Sequence, residues 1–367
     1  MAAHSDAPLG LIDLPLGSEA ARAISPAYRT REPVVVNAEL IPADVRQQMS
    51  AAWDRRFVPE AKVSLHRLTD CFVLGEGLVF DRTHALFRAS FTQHTMREAE
   101  AERERLHAAT RANVLRSLSS ALLCCKRGAA NYGHWLVEML PMAHMGLRWQ
   151  LPEETKLLVP AEPLAAVIRD SLGGLGVSAA RLVPCCAPVH VQELFLVTGL
   201  SAHGTTLSPL VLEALDAVAA DIRPGPFDTV WVSREAEPRR IADETALCRA
   251  LYDKGWTIAA PGLFPFAQQV ALFKGARRIA GVCGAGLANL VFAPRGASVT
   301  SFAPANMPDT LYWLLCELGG KQLREIRCPL QDGTRGTEPW DARLAVSLPE
   351  VLAELGQHPT KRTRLVG

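Results

Sequence analysis

The sequence predicts an α/β protein made of two domains. Its 367 residues exceed the length of one ordinary domain, so each half has enough chain to bury its own core. From about residue 120 onward, short apolar runs alternate with helix-like runs, and this alternation predicts βαβ units with parallel strands. Glycine and proline interrupt the pattern at several points, most clearly at Arg223–Pro226.

The individual elements follow from the positions of apolar runs and breakers. Residues 1–50 are rich in Pro, Ala and Leu without sustained periodicity, and we expect them to run as extended chain over the first domain. Cys71–Phe80 predicts two short strands around a glycine turn. In the second half we predict strands over Thr229–Ser233, Trp256–Ala260, Arg277–Val282 and Ser298–Phe302, and helices over Pro209–Asp221, Asp243–Asp253, Pro265–Lys274, Gly286–Phe292 and Asp309–Leu318. The predicted domains are residues 1–205 and 206–330, followed by a tail over 331–367.

Composition and charge exclude several classes of protein. Lys and Arg number 39 against 38 Asp and Glu, so no overall field favours nucleic acid or an anionic membrane. The start shows no basic segment followed by an apolar one, so it does not predict a signal peptide. The longest apolar run, Ile279–Ala293, is too short to span a membrane. We expect a cytoplasmic protein whose basic tail, Lys361–Arg364, is either solvated or in contact with anionic lipid at the inner face of the membrane.

The nine cysteines predict neither a disulfide framework nor a zinc site. They include the adjacent pairs Cys124–Cys125 and Cys185–Cys186, and none has the paired C-x-x-C spacing of a zinc site. Free cysteine is among the most buried residue types, so we expect small buried thiols in a reducing compartment.

A glycine-rich segment, Gly281–Leu290 (GVCGAGLANL), is the first candidate binding site. A strand that runs into such a turn and then a helix lets backbone N–H groups approach a phosphate, and the helix N-terminus favours negative charge. The candidate phosphate-binding residues are Cys283, Gly284, Ala285, Gly286, Leu287 and Asn289. The same glycines would also suit a tight turn with no ligand. NAD binding is a weaker alternative, because the next strand lacks the acidic residue that holds the ribose.

A second candidate lies at the end of another predicted strand, where Ser233–Arg234 follow Val230–Val232. In a parallel sheet the carboxyl end of this strand faces the same crevice as the glycine turn. The guanidinium group of Arg234 is a fixed fork of donors that suits a diphosphate. Arg239 is a further candidate, with a solvated loop as its alternative.

A third candidate is the helix-like run Asn131–Pro141 (NYGHWLVEMLP). His134 and Glu138 are one helical turn apart and share a face. A carboxylate that holds a histidine in its neutral tautomer can make that ring the base that deprotonates a sugar hydroxyl. The alternative is a structural hydrogen bond between the two side chains.

These three segments, in this order, resemble glycosyltransferase family 61, which includes bacterial enzymes labelled capsular polysaccharide biosynthesis proteins. The resemblance covers roughly Ser120–Cys328. It rests on Asn131–Leu136 with Leu140–Pro141, on Ser233–Arg234 with Arg239 and Glu244, and on Gly284–Leu287 with Asn289 and Phe292–Pro294.

The resemblance implies a GT-B-like pair of Rossmann-like domains with a cleft between them and inversion at the anomeric carbon. A nucleotide-sugar donor would be held mainly by the second domain, and a glycan or glycolipid acceptor would approach near His134. The sequence contains no Asp-x-Asp metal motif, so we expect no metal and no other cofactor. Arg234, with Arg239 and the helix N-terminus, would then stabilise the leaving diphosphate.

Four positions depart from the family's common pattern. Cys283 stands where histidine is common, and Ser301 stands near the usual place of an acidic residue. Glu138 replaces Asp, and Asp243 replaces Asn. The first two changes remove groups that could contact the donor, so they support an alternative in which the chain is a catalytically weakened binding or scaffold subunit of a polysaccharide assembly complex. We expect the Cys283 thiol to fill space rather than to act as a nucleophile.

Overall fold

The computed structural model describes residues 9–331, 338 and 340–356. The basic tail Lys361–Arg364 lies outside the described residues. Among the described helices, none combines the length and apolar character needed to cross a lipid bilayer.

The strands, numbered in chain order, are mostly short, and the two longest have 14 and 10 residues. They are β1 Leu11–Ile12, β2 Glu19–Ser25, β3 Tyr28–Arg29, β4 Val34–Val36, β5 Phe57–Val58, β6 Ala61–Leu74, β7 Leu78–Phe80, β8 Leu86–Phe87, β9 Arg116–Leu123, β10 Lys156–Val159, β11 Leu182–Pro184, β12 Val189–Thr198, β13 Ser201–Ala202, β14 Thr206–Leu207, β15 Thr229–Val232, β16 Thr257–Ala259, β17 Arg278–Val282, β18 Ser298–Pro304 and β19 Gln322–Cys328.

The helices are mostly of two to three turns. The α-helices are α1 Ala43–Trp53, α2 Met96–Ala112, α3 Tyr132–His134, α4 Leu140–Arg148, α5 Ala165–Gly174, α6 Leu210–Ala219, α7 Glu244–Asp253, α8 Phe266–Gly275, α9 Leu311–Gly319 and α10 Leu348–Gly356. A π-helical segment, Trp135–Met139, joins α3 to α4. Short 3₁₀ helices cover Ala38–Leu40, Arg88–Ser90, Ala179–Arg181 and Pro261–Leu263, and a longer one covers Ala285–Phe292.

The chain divides into two compact units. The described part of unit 1 comprises residues 9–28, Phe57–Ile222 and Pro265–Ala267. Its sheet has the order β1-β8-β7-β6-β12-β9-β10-β11, with β2 also paired to β6. The strands β12, β9, β10 and β11 run parallel, whereas β6 is antiparallel to β12 and to β7. The first part of the sheet is thus built from hairpins and the second from strand-helix-strand units.

Unit 2 contains one sheet in which every strand pair is parallel. Its order is β16-β15-β17-β18-β19-β4. Side chains of α7 and α10, such as Leu247 and Val351, pack on one face of the sheet around Trp231. Side chains of α1 and α9, such as Met49 and Trp313, form a second cluster with Val35 and Leu323. Helices therefore cover both faces, as a buried parallel sheet requires. The predicted α/β class with parallel sheets is confirmed.

The division between the units differs from the predicted boundary at residue 205/206. Helix α6 packs against α4 and α5 of unit 1, so unit 1 continues to Ile222. The change of unit falls at Arg223–Pro226, where proline and glycine prevent the helix from continuing.

The expectation that residues 1–50 run as extended chain over the first domain is wrong for their second half. Residues Arg29–Arg56 belong to unit 2, where β4 extends the sheet beside β19 and α1 covers part of it. At the other end, α10 packs on the unit 2 core through Val351 and Leu355. Such segments depend on contacts that are distant in sequence, so local composition did not indicate them.

Candidate functional site

The third sequence motif begins with a capped turn in unit 1. The Asn131 side chain accepts hydrogen bonds from the backbone N–H groups of Gly133 and His134, at 2.8 and 3.4 Å, which is how an N-cap residue satisfies free donors. The helix then widens into the π-helical segment, in which the Leu140 N–H bonds the Trp135 carbonyl. Pro141 lacks the N–H that an α-helical continuation would need. Such π-helical turns are frequent at functional sites.

This local geometry brings together four polar side chains, which we call the histidine cluster: Lys126, His134, Glu138 and His203. His134 Nδ1 lies 2.6 Å from Glu138 Oε2, and His203 Nδ1 lies 3.4 Å from Glu138 Oε1. The Lys126 ammonium lies 3.2 Å from the same Oε1 atom. The two imidazole rings are stacked, with centroids 5.2 Å apart and planes 9° from parallel.

The carboxylate of Glu138 fixes the chemistry of both rings. Burial by itself raises the pKa of Glu138, but hydrogen bonds from His134 and His203 and the charge of Lys126 outweigh burial and bring the pKa far below its ordinary value. An ionised carboxylate only accepts hydrogen bonds, so each Nδ1 atom must donate. In the neutral rings, Nε2 is then left as a proton acceptor. The cluster can therefore present a base to a hydroxyl group.

The structure goes beyond the sequence motif at two positions. The predicted pair of His134 and Glu138 is brought together, but sequence reasoning missed His203 and Lys126. His203 follows β13, 65 residues beyond Glu138 in the chain, and no local periodicity connects the two. Lys126 directly follows the adjacent cysteines at the end of β9. A lysine after a buried parallel strand was the one available signal, since ligand-binding groups gather at such strand ends.

We expect Glu138→Gln to lower the free energy of unfolding by about 3 kcal/mol near neutral pH, because Lys126 would lose its counter-charge while 10% exposed. The folded pKa of Glu138 is lowered, so its stabilising effect is present above the pKa of the unfolded carboxyl, 4.5, and is lost as pH falls through the folded value. Urea unfolding of both proteins from about pH 7 to about pH 2 measures this.

A double variant provides the control for this prediction. Lys126→Met in the Glu138→Gln background should recover most of the lost stability, because it removes the unpaired buried charge. A stability difference that does not shrink at low pH, or a double variant no more stable than Glu138→Gln alone, would contradict the electrostatic explanation.

The histidine cluster also has the spacing of a metal site. One ring nitrogen from each histidine and one oxygen of Glu138 lie within 4.8 Å of one another, and two imidazoles with a carboxylate are ligands that transition metals accept. However, the Lys126 ammonium already neutralises the same carboxylate. A second cation there would be repelled by Lys126. Lys126 and a metal ion would therefore compete for this carboxylate.

The first two motifs meet in unit 2, at the carboxyl ends of neighbouring strands. From β15 the chain crosses to β16 on one side, and the next strand, β17, pairs with β15 on the other side. Such a reversal of strand order opens a crevice at the carboxyl ends of the strands, where α/β sheets bind ligands. Ser233–Arg234 leave β15 at this point, and Cys283–Gly284 leave β17. We call these residues, with Arg239 and the turn to Gly286, the switch-point site.

Arg234 and Gly284 are in direct contact at this site. A Cβ atom on Gly284 would lie 1.9 Å from Arg234 Nη1, so the absence of a side chain makes room for the guanidinium. Arg234 Nε donates to the Arg239 carbonyl at 2.8 Å, and Nη2 lies 3.5 Å from a carboxylate oxygen of Glu237, which is 57% exposed. Burial, and then the charge of Arg239, lower the pKa of Arg234. A buried cation with so little compensation would be stabilised by an anion.

Arg239 has a different environment from Arg234. It is 6% exposed, and its Nε and Nη1 atoms donate to the carbonyls of Cys283 and Trp340, both at 2.8 Å. These bonds connect the end of β17 to the chain at Trp340. Arg239 therefore holds the turn after β17 in place through its hydrogen bonds to backbone carbonyls. The guanidinium of Arg234, in contrast, lies next to Gly284.

The other predicted phosphate-binding residues fall into two groups. Ala285 and Gly286 are partly exposed at the start of the 3₁₀ helix Ala285–Phe292, which covers the helix predicted over Gly286–Phe292. Leu287 and Asn289 are fully buried, and Asn289 Nδ2 donates to Gln269 and to the Gly286 carbonyl, both at 3.1 Å. Asn289 thus closes the turn rather than facing solvent.

Ser233 and Cys283 are also engaged within the fold. The Ser233 hydroxyl accepts a hydrogen bond from the Glu235 N–H at 3.3 Å and contacts the Cys248 thiol. Cys283 Sγ lies 3.5 Å from Met307 Sδ, and burial raises the pKa of the Cys283 thiol to about 11. A thiol that stays protonated at neutral pH is a poor nucleophile, so a space-filling role suits Cys283.

Ser301 stands near the usual place of an acidic residue, and the neighbouring strand carries such a residue beside it. Ser301 of β18 is paired in register with Glu325 of β19, so both side chains point to the same face. Glu325 is 3% exposed and pairs with the fully buried Arg327 at 2.5 Å. That carboxylate is committed to Arg327, whose Nη1 atom also donates to the Pro304 and Met307 carbonyls. The pair supports the loop after β18.

Comparison with known proteins gives one family match. The family model described as Glycosyltransferase 61 matches residues 132–300, a range that contains His134, Glu138, His203 and the switch-point site. No curated protein matches the chain. The matched range, which begins at the capped helix of the histidine cluster and ends inside β18, identifies this part of the chain as a glycosyltransferase 61 domain.

Proposed function

We propose that the protein is an inverting, metal-independent glycosyltransferase of the GT-B type. It transfers a sugar from a nucleotide sugar to a growing surface or capsular glycan. The observation that carries the proposal is the 2.6 Å hydrogen bond between His134 and Glu138, because it turns the histidine into a base suited to a hydroxyl acceptor. The capsular acceptor is supported by the sequence resemblance.

In the proposed reaction, unit 1 supplies the base and unit 2 binds the donor. His134 Nε2 takes the proton of the acceptor hydroxyl as its oxygen attacks the anomeric carbon. The bond from that carbon to the diphosphate oxygen breaks in the same step, so the configuration inverts. Arg234 and the N–H groups of the glycine turn stabilise the negative charge that develops on the departing nucleoside diphosphate. No covalent sugar-enzyme intermediate is required.

The nine cysteines support a cytoplasmic location for this reaction. All of them are free thiols, and seven of the nine have a pKa raised by burial or by a neighbouring thiol or acid. Unpaired thiols in this number are typical of a reducing compartment. The nucleotide-sugar donor and the acceptor end of the glycan would both be available to the protein in that compartment.

We expect the protein to transfer sugar from one member of a panel of radiolabelled nucleotide sugars to a cell-envelope acceptor, at the same rate with and without EDTA. NMR of the product should show the anomeric configuration opposite to that of the donor. Retention of configuration would overturn the single-displacement mechanism. Loss of activity in EDTA that a divalent metal restores would assign a metal to His134, Glu138 and His203.

The same assay separates the two alternatives. A protein that binds nucleoside diphosphates but neither transfers nor hydrolyses any donor would support the weakened scaffold subunit. A thermal shift with NAD or NADP, and none with nucleoside diphosphates, would support the dinucleotide alternative.

A further inference from the structure

We propose that Trp340 is the surface on which the nucleobase of the donor stacks. This inference rests on the proposed function, since it extends the diphosphate site at Arg234 to the rest of the nucleotide. The indole side chain is 49% exposed, so about half of it is open to a partner.

The backbone around Trp340 is fixed to the loop that follows β15. The Leu344 N–H donates to the Arg240 carbonyl at 2.9 Å, and Leu344 forms a bridge with Ile241. Leu344 itself is fully buried in the unit 2 core. Trp340 is therefore presented from an anchored segment, four residues before a core position.

Arg239 connects Trp340 to the glycine turn. Its Nη1 atom donates to the Trp340 carbonyl and its Nε atom to the Cys283 carbonyl. Its guanidinium carbon lies 5.9 Å from the centre of the indole ring, within the range of a cation–π contact. The Arg239 carbonyl in turn accepts the hydrogen bond from Arg234 Nε. A continuous set of contacts thus runs from the diphosphate cation to the indole.

This arrangement suits a planar aromatic ligand. Arg239 supports the indole from one side, and the exposed half of the side chain is left for a partner. A nucleobase has a π-face that stacks on indole whatever its hydrogen-bonding pattern. A diphosphate at Arg234 and a base at Trp340 would use both ends of one nucleotide, and the aromatic contact would add affinity that inorganic pyrophosphate cannot obtain.

Calorimetry with wild-type protein and Trp340→Ala tests the proposal, using UDP, GDP, CDP, dTDP and inorganic pyrophosphate as ligands. We expect the preferred nucleoside diphosphate to bind about tenfold more weakly to Trp340→Ala, and pyrophosphate to bind equally to both proteins. Trp340→Phe should bind with intermediate affinity. Because Arg239 bonds the backbone carbonyl of Trp340, removal of the side chain leaves that anchor in place.

Tyr252→Ala is the matched control, since Tyr252 is a 71% exposed aromatic residue of unit 2 on α7; it should bind every ligand as the wild type does. Equal binding of the nucleoside diphosphate to wild type and Trp340→Ala would overturn the stacking role and leave the donor site intact. A wild-type protein that binds neither nucleoside diphosphates nor pyrophosphate would overturn the donor site at Arg234, and the stacking role with it.

Discussion

Replacement of His134 by alanine is expected to lower kcat by about 10²- to 10⁴-fold, the range for loss of a general base. The acceptor hydroxyl would then have to lose its proton to water in the transition state. Nucleoside diphosphate binding should remain, because the candidate donor residues belong to unit 2. Steady-state kinetics with the preferred nucleotide sugar, together with calorimetry, separates these two effects.

Two other histidines make this prediction specific. His203→Ala removes the second imidazole on Glu138, and we expect a smaller loss than for His134→Ala, because its hydrogen bond is longer and its side chain is 51% exposed. His190→Ala is the control, since His190 bonds Ser117 at 3.1 Å and is not part of the cluster. A near-normal rate in His134→Ala would remove His134 from the catalytic role. A larger loss in His203→Ala would assign the base to His203.

Replacement of Arg234 by alanine is expected to lower kcat/KM by about 10²- to 10³-fold, as for the loss of a donor that stabilises developing negative charge. Arg234→Lys should recover part of the loss, because it keeps the charge but not the planar fork of donors. Donor binding and turnover are measured in the same assays as for His134. Unlike His134→Ala, this variant should also bind nucleoside diphosphate more weakly.

Gly284→Ala should reproduce much of the Arg234→Ala effect without any change to the arginine. Its Cβ would displace a guanidinium whose Nε atom is held by the Arg239 carbonyl. Gly262→Ala is the control, because Gly262 lies outside the switch-point site and a Cβ there would meet no atom within 4 Å. Equal donor binding by Gly284→Ala and wild type would contradict the contact between Gly284 and Arg234 as a determinant of affinity.

For Arg234→Ala itself, urea unfolding is the further control. Loss of folding in that variant would indicate a structural role for Arg234 instead.

The sequence predicted the parallel sheet of unit 2 because its strands carry local signals. Each strand is a short apolar run bounded by a helix or by glycine and proline, as for β15 and β17, and the helix that follows has its own periodicity. The order of the strands, and therefore the position of the crevice between β15 and β17, did not follow from these signals. It depends on which strands pair, and pairing is a contact between distant parts of the chain.

The histidine cluster likewise combines a pair of residues that the sequence brings together with two residues that only the fold adds. His134 and Glu138 are four residues apart, so helical geometry alone brought them to one face, and even the widened π-helical turn preserved their hydrogen bond. The second imidazole and the ammonium on Glu138 come from the segments that follow β13 and β9, which no periodicity links to the helix. Their effect is electrostatic: they keep a buried carboxylate ionised, and only the folded chain creates that environment.

Arg239 and Trp340 show which features of the site a sequence motif does not reveal. A motif gives residue types and spacing, so Arg234 and Arg239 were both candidates for the diphosphate. Burial and hydrogen-bond partners separated them, because Arg239 is engaged with two carbonyls while Arg234 lies against a glycine. Trp340 belongs to no motif and became visible through its contact with Arg239.

By itself, the sequence determined the α/β class, the resemblance to the family and the spacing of residues within each motif, because these depend on periodicity, turn residues and short distances along the chain. The tertiary structure decided where the units divide, which charges face one another around Glu138, and which arginine lies against Gly284. These features depend on packing between residues far apart in sequence, and the free energy of each charge is set by the neighbours that packing provides.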